Sequence, residues 1–343
     1  MSERKLQKVG YSTLTISIPA AYAKQLKLRG GDSIVIREEG DGTLRLIPVS
    51  RANKKTKASI KADLVDNEEL LSKLVIGCYV LGYDEIEIVS KNGIKSIFAE
   101  RASRTMKRLR GVEIVESSKN RILAQSFMDP AKFPVDSLIR RLQLLVSTSL
   151  EAAVEALKSG TIGLLNSVRK SQEEIDELYW LIVRQLLVAF GNRELSGRMG
   201  LESPLHTSGD RVSAKTVEEI GRIILELTEE IINLKETGIK LEESVMKTIE
   251  TLARKTQETF EKTMESLLTP DIRTIGVAGE LVTDTLQLQR EVMLELVETG
   301  EHSYLKTIIA HLGQLVRYCN IIIEIALNRL LRKTSRVCVI QEE

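Results

Sequence analysis

Residues 217–227 read VEEIGRIILEL, and residues 312–322 read LGQLVRYCNII. When Arg222 is set on Arg317, the apolar positions coincide: Val217 with Leu312, Ile220 with Leu315, Ile224 with Cys319 and Leu227 with Ile322. Both are helical stripes at i, i+3/i+4 spacing. From Pro134 onward the chain is a run of long amphipathic segments, and the repeat divides it into two three-helix bundles, 133–238 and 239–335, with a tail at 336–343. Six helices are expected: 135–159, 161–190, 212–237, 239–268, 271–298 and 301–333. Breaks fall at Gly160, the loop 191–211, Gly238, Thr269-Pro270 and Gly300. Leu138, Leu142, Leu145 and Val146 mark the core-facing edge of the first helix.

Upstream the periodicity changes. STLTISI (12–18) alternates hydroxyl and aliphatic residues, a strand pattern that Pro19 ends. AAYAKQLK (20–27) is a short helix stopped by Gly30-Gly31, and SIVIRE (33–38) and TLRLIPV (43–49) form a hairpin around Gly40-Asp41-Gly42. This 1–50 unit is too small to bury a good core alone, so dimerisation is expected. A basic linker, 51–61, leads to a mixed segment, 62–132: helices at 67–82 and 95–109, a strand at 84–90 and a strand pair at 111–117 and 121–127. The fold class is multidomain α+β: a small N-terminal β unit, a middle α/β domain and a C-terminal all-α tandem of bundles.

The whole chain has 343 residues and a net charge of +1, but the charge is unevenly placed. Residues 1–61 carry thirteen Lys/Arg and five Asp/Glu, residues 62–132 balance at eleven each, and the rest carries a net −7. A basic head on an acidic body points to a polyanionic partner at one end only. Three scattered cysteines, no apolar leader and no 18–20-residue apolar run predict a cytoplasmic protein without a membrane span. His206, His302 and His311 lack neighbouring ligands, and no Walker loop, nucleophile elbow or dinucleotide fingerprint occurs. No enzyme is expected.

The head's cations are Arg4, Lys5, Lys8, Lys24, Lys27 and Arg29, with Ser12 and Thr13 adding hydroxyls. Such groups pair with phosphates, and arginine also forks onto guanine edges. KLQKVGYSTLTISIPAAYAKQLKLRGGDSIVIREEGDGTLRLIP (5–48) resembles the AbrB/MazE (SpoVT/AbrB) swapped-hairpin DNA-binding family through K-V-G-x-S, I-P before the helix, and L-R-G-G-D-S. The resemblance implies half of a swapped-hairpin β-barrel, a homodimer and DNA contact. It places Lys5, Lys8, Ser12 and Thr13 in the DNA-facing stretch, while Lys24, Lys27 and Arg29 are placed by charge.

The helical half carries VRKSQEEIDELYWLIVRQL (168–186), with Glu173, Glu174, Asp176 and Glu177. Taken alone this is a solvated face with i, i+4 pairs such as Arg169–Glu173. Residues 134–335 resemble the PhoU family of phosphate-uptake regulators, through the duplicated bundles, E-E-I-D-E-L (173–178) and V-E-E-I-G-R (217–222). The family carries acidic pairs that load metal in several members. By resemblance Glu173, Asp176, Glu218 and Asp284 are the candidate ligands. The pattern is eroded, however: Gln172 precedes Asp176 by four, Arg222 follows Glu218 by four, and Gly313 and Arg317 stand where the second acid pair would be. Metal clusters are therefore expected to be absent or reduced, with Arg222 and Arg317 binding an anion or pairing with Glu173, Asp176 or Asp284. The two resemblances together imply a DNA-binding transcriptional regulator of phosphate transport, of archaeal type. The other reading is an interaction protein whose head only dimerises and whose body docks on a phosphate-transporter ATPase or a sensor kinase.

Overall fold

In the computed structural model, which describes residues 3–38, 42–49, 55–190, 193–201, 204–238, 242–298, 303–332 and 337–339, the chain divides into two units between Thr56 and Lys57. In the first unit, β1 (Gln7–Val9) pairs antiparallel with β2 (Thr13–Thr15), turning through Gly10 at a φ of 71°. Pro19 precedes α1 (Ala20–Leu26), because a residue with fixed φ and no N–H suits a helix entry. The helix ends before the glycines expected to stop it. Lys27 takes a left-handed φ of 55°, and its N–H reaches the Ala23 and Lys24 carbonyls. β3 (Ile34–Glu38) and β4 (Leu44–Pro48) form a second antiparallel ribbon, whose turn residues Gly40 and Asp41 lie outside the described residues. The two ribbons stay separate sheets within the chain. Among the head's described residues only Pro48 is buried, while Leu14, Ile36 and Leu44 are each more than 60% exposed.

The second unit begins with β5 (Lys57–Lys61), so the basic linker is shorter than composition suggests. The stretch KASIK alternates in burial: Ile60 faces the core, and the lysines face out along an edge strand. The sheet runs β5-β6-β8-β7, with β6 (Glu85–Val89) parallel to β5, and β8 (Arg121–Ser126) and β7 (Val112–Ser117) antiparallel. Helices α2 (Glu68–Val80) and α3 (Ser96–Arg108) bury Leu71, Val75, Phe98 and Met106 against Ile60, Ile86, Ile88 and Ile122. The opposite face holds a charge ladder, Lys57–Glu87–Arg121–Glu116. The lysine and arginine hydrogen bonds hold the Glu87 carboxyl down at about 2.

The helical body has α4 (Val135–Ser159), α5 (Ile162–Phe190), α6 (Arg193–Arg198), α7 (Pro204–Glu236), α8 (Glu243–Leu268), α9 (Ile272–Glu298) and α10 (Ser303–Leu330). Helices α4, α5 and α7 pack on one another, as do α8, α9 and α10, and the two sets meet through α7 on α10 and α4 on α8. The stretch expected as a loop at 191–211 contains α6 and the first turns of α7. Pro204 is a favourable first residue for a helix, and Gly209 lets α7 press on α10, since a Cβ there would lie 3.1 Å from Ile325. Nearby, Arg329 of α10 bonds Asp210 of α7 at 2.6 Å and the Leu267 carbonyl, tying the two sets together. By length and composition α10 could cross a membrane, contrary to the expectation from the sequence. Over half of that window (56%) is buried in the body, as in the core helix of a helical bundle.

The middle sheet and the body form one unit because α2 is anchored to α5. Arg184, 4% exposed, donates Nη1 to the carbonyls of Tyr79 (2.6 Å) and Tyr83 (3.0 Å) and stacks on the Tyr79 ring. It thus adds a cationic donor to the Tyr79 carbonyl in the last turn of α2, which also accepts the Gly82 N–H at 3.0 Å, and to the Tyr83 carbonyl just past the helix, at the negative end of its dipole. Gly82, at a φ of 90°, permits the approach, because a Cβ there would stand 2.7 Å from Val188 Cγ2. Gly82→Ala is expected to lower unfolding stability by about 2–3 kcal/mol, combining left-handed strain with overpacking. A further Val188→Ala should recover only the overpacking part, which thermal melts of the three proteins would resolve.

Candidate functional site

All eight polar residues singled out in the head are solvent-exposed. Lys8 lies on β1, and Ser12 and Thr13 lie at or just before β2. Across the ribbon Lys8 stands opposite Leu14, and Thr13 opposite Val9. Paired residues share a face, so Lys8 lies beside Leu14 on one face and Thr13 beside Val9 on the other. Lys24 is in the last turn of α1, Lys27 caps it, and Arg29 follows. The Arg29 N–H is held by the Asp32 carboxylate at 2.8 Å, which orders the segment after the helix. The six cations make no ion pair among the described residues, so their charge is available to a partner.

The acidic run of α5 is not a solvated face. Asp176 and Glu177 take Arg108 (3.6 and 3.5 Å), and Glu174 and Glu177 take Arg110 (3.4 and 3.7 Å). Arg108 is the last residue of α3 and Arg110 follows in the turn, and the Arg108 guanidinium lies 5.0 Å from the Trp180 ring. Arg141 of α4 also bonds Glu174. Glu173 stays exposed, offering only its backbone carbonyl to Arg108. Arg169, expected to pair with Glu173, pairs with Glu229 of α7.

Behind this seat lies the acid pair of α5 and α7. Glu218, its side chain 3% exposed, is bonded by Lys215 and Arg222. Arg222 also reaches Asp176 at 3.9 Å, and Gln172 donates to the same carboxylate at 2.9 Å. Burial pushes the Asp176 carboxyl up, and the Glu218 charge adds to that, while Gln172, Arg222 and Arg108 oppose it. Among the described residues of the second half there is no counterpart. Asp284 is 64% exposed and 3.9 Å from Lys255, and Arg317 is exposed without an ion pair among the described residues. Gln289 fills the space beside Gly313, where an added Cβ would come within 2.8 Å of its Cδ. Gln172 lies the same way against Gly221 in the first half.

Residues 7–54 match the model of the family described as "Antidote-toxin recognition MazE, bacterial antitoxin", and residues 139–231 match the model of the PhoU domain. Comparison with curated proteins and with solved structures returned no match. The chain carries a MazE/AbrB-type domain and a PhoU domain. Both families are regulatory and non-catalytic. The PhoU match runs from Ile139 in α4 to Ile231 in α7, the first set of three helices. Metal clusters of the kind the PhoU resemblance implies do not fit these residues. The first half's carboxylates are neutralised by Lys215, Arg222 and Arg108, and the second half places a glycine and a glutamine there. No group of three or more potential ligands stands together among the described residues.

The sequence reading missed the arginines that matter most to this region: Arg108, Arg110, Arg141 and Arg184. MKRLRG (106–111) was legible as a basic helix end, and EEIDE (173–177) as its complement, but only the tertiary contact joins them. His302 and the side chain of His206 lie outside the described residues, and His311 lies 3.9 Å from Glu226. Arg222→Gln should leave Glu218 with fewer partners in a buried setting and destabilise the protein by about 1–3 kcal/mol. Metal analysis of the purified wild-type protein should find only substoichiometric iron, zinc or manganese. Several equivalents would overturn the neutralised-site reading.

Proposed function

We propose that the protein is a homodimeric DNA-binding regulator of phosphate uptake. The head contacts duplex DNA through Arg4, Lys5, Lys8, Ser12, Thr13, Lys24, Lys27 and Arg29. The observation that carries this is the pairing, in one chain, of a PhoU domain with a MazE/AbrB-type head whose cations are exposed and without ion pairs among the described residues. The dimer reading is supported by the head's burial pattern. Strand residues as apolar as Leu14, Ile36 and Leu44 are more than 60% exposed, and a second copy of the same unit would cover them. The second set of helices, α8 to α10, acts as a further PhoU-like bundle, as its packing on the first suggests. The body regulates by contact with a protein partner rather than by storing metal. An effector there changes DNA affinity to the extent that it binds the DNA-competent dimer more tightly.

The test is the salt dependence of DNA binding by the full chain. Neutralising about six phosphates gives a slope of about −5 in log K against log[salt]. Lys5→Glu, Lys8→Glu and Lys24→Glu together should abolish binding at moderate salt without changing the melting temperature, since all three side chains are exposed. Undetectable binding at low salt, or binding indifferent to that charge reversal, overturns the DNA reading. The head would then be a dimerisation module for a body that docks on a phosphate-transporter ATPase or a sensor kinase.

A further inference from the structure

Between the middle domain and the start of α4 lies a cavity of about 530 Å³, within the size range of small-ligand sites. Its wall comes from four places: the turn between α3 and β7, the connector from β8 to α4, α4 itself, and Leu181 of α5. The turn supplies Arg110 and, on β7, Glu113; the connector supplies Phe127, Lys132 and Phe133; α4 supplies Arg141. We propose that this cavity binds a nucleoside phosphate, its base against the exposed aromatic rings and its phosphate on the cations.

Four observations converge on that chemistry. Phe127 is 65% exposed and Phe133 37%, a large apolar exposure for rings at a cavity wall, and every nucleobase offers a face for stacking. Arg110 pairs with Glu174 and Glu177, and Arg141 with Glu174. The Nε of Arg110 is buried with no hydrogen-bond partner, and Lys132 is exposed without an ion pair among the described residues. Among the lining side chains three cations, Arg110, Lys132 and Arg141, face two carboxylates, Glu113 and Asp129, and Asp129 already accepts the Ala131 N–H at 3.1 Å, which leaves Lys132 foremost for a phosphate. Glu113, exposed on β7 and in no ion pair among the described residues, is an acceptor, suited to ribose hydroxyls or a base amine but of no use to a bare phosphate.

The cavity is also held open in advance. Gln185, fully buried in α5, donates its amide to the Pro130 carbonyl at 2.8 Å and the Phe133 carbonyl at 3.1 Å. The connector that presents Lys132 and Phe133 is therefore fixed from below. Gly111, at a φ of 74°, leaves room for Met128, which a Cβ would meet at 2.9 Å. A ligand bridging Arg110 and Arg141 would touch the middle domain and the PhoU domain at once. This inference does not rest on DNA binding by the head.

The experiment is isothermal titration of the full chain with AMP, ATP, adenosine and inorganic phosphate. At least one of the two nucleotides should bind, and adenosine and phosphate should each bind roughly tenfold more weakly or worse, because each lacks one half of the recognition. Phe127→Ala should weaken nucleotide binding roughly tenfold. Lys132→Gln and Arg141→Gln should each weaken it severalfold. All three side chains are solvent-exposed, and unchanged melting temperatures would confirm intact folding. No nucleotide binding at millimolar concentration overturns the proposal. So does binding that survives all three substitutions, which places the nucleotide elsewhere, or phosphate binding as tight as the nucleotide's, which makes the site one for a plain anion.

Discussion

A buried guanidinium held by backbone carbonyls and an aromatic ring sets the relation between the middle sheet and the helices. Arg184 bonds the Tyr79 carbonyl in the last turn of α2 and the Tyr83 carbonyl just beyond it, and lies on the ring of Tyr79. Desolvation depresses its pKa, and the paired carbonyls and the ring offset that loss through charge-assisted hydrogen bonds and cation–π attraction. Because the charge is buried on both sides, α2 and α5 separate only by stranding it. Around this anchor the weaker contacts become productive. The Arg108 and Arg110 pairs with the acidic run are partly exposed and individually worth little, yet on a surface already held in place they lose less side-chain entropy. They fix the angle at which the sheet meets the bundle.

This arrangement changes the meaning of the body's acidity. A net −7 over residues 133–343 reads as a field around the helices. Part of it is spent locally: Glu174, Asp176 and Glu177 face four arginines from outside their own helix, and Glu218 faces a lysine and an arginine on its own. In a site lined by carboxylates alone a divalent cation would supply the neutralising charge. Here the chain supplies it through guanidiniums, which form directional hydrogen bonds and need no open coordination sphere.

The helices were legible because their apolar stripes run for twenty residues or more, long enough for periodicity to outweigh local exceptions. The boundaries at Gly160 and Thr269 followed from residues that suit a left-handed or extended cap. Three features were hidden for a common reason. Lys57–Lys61 looks like linker because an edge strand with outward lysines has linker composition. The stretch 204–211 looks like loop because Gly209 weakens a helix in isolation, and only the approach of α10 explains it. The acidic run looked like a metal face or a solvent face, since its partner lies more than sixty residues away in sequence. In each case the deciding term is a tertiary contact, and single-residue propensity carries no information about that.

The two units handle their apolar surface in opposite ways. The body closes its core internally: six long helices in two sets of three bury a continuous row from Val135 to Ala326. The head, by contrast, keeps two separate ribbons and one seven-residue helix with none of its residues buried. A unit of that size ordering some fifty residues faces an entropy cost of about 1–2 kcal/mol per residue, which exposed strands do not offset. Its fold therefore gains most from a surface outside its own chain. If a second head is that surface, folding, pairing and the doubling of positive charge occur in one step. Two heads, each carrying the exposed cations of one chain, then present a charge density that a single head lacks. Affinity for a polyanion would accordingly depend on protein concentration through the dimer, and DNA itself, by favouring the paired form, would stabilise the head's fold.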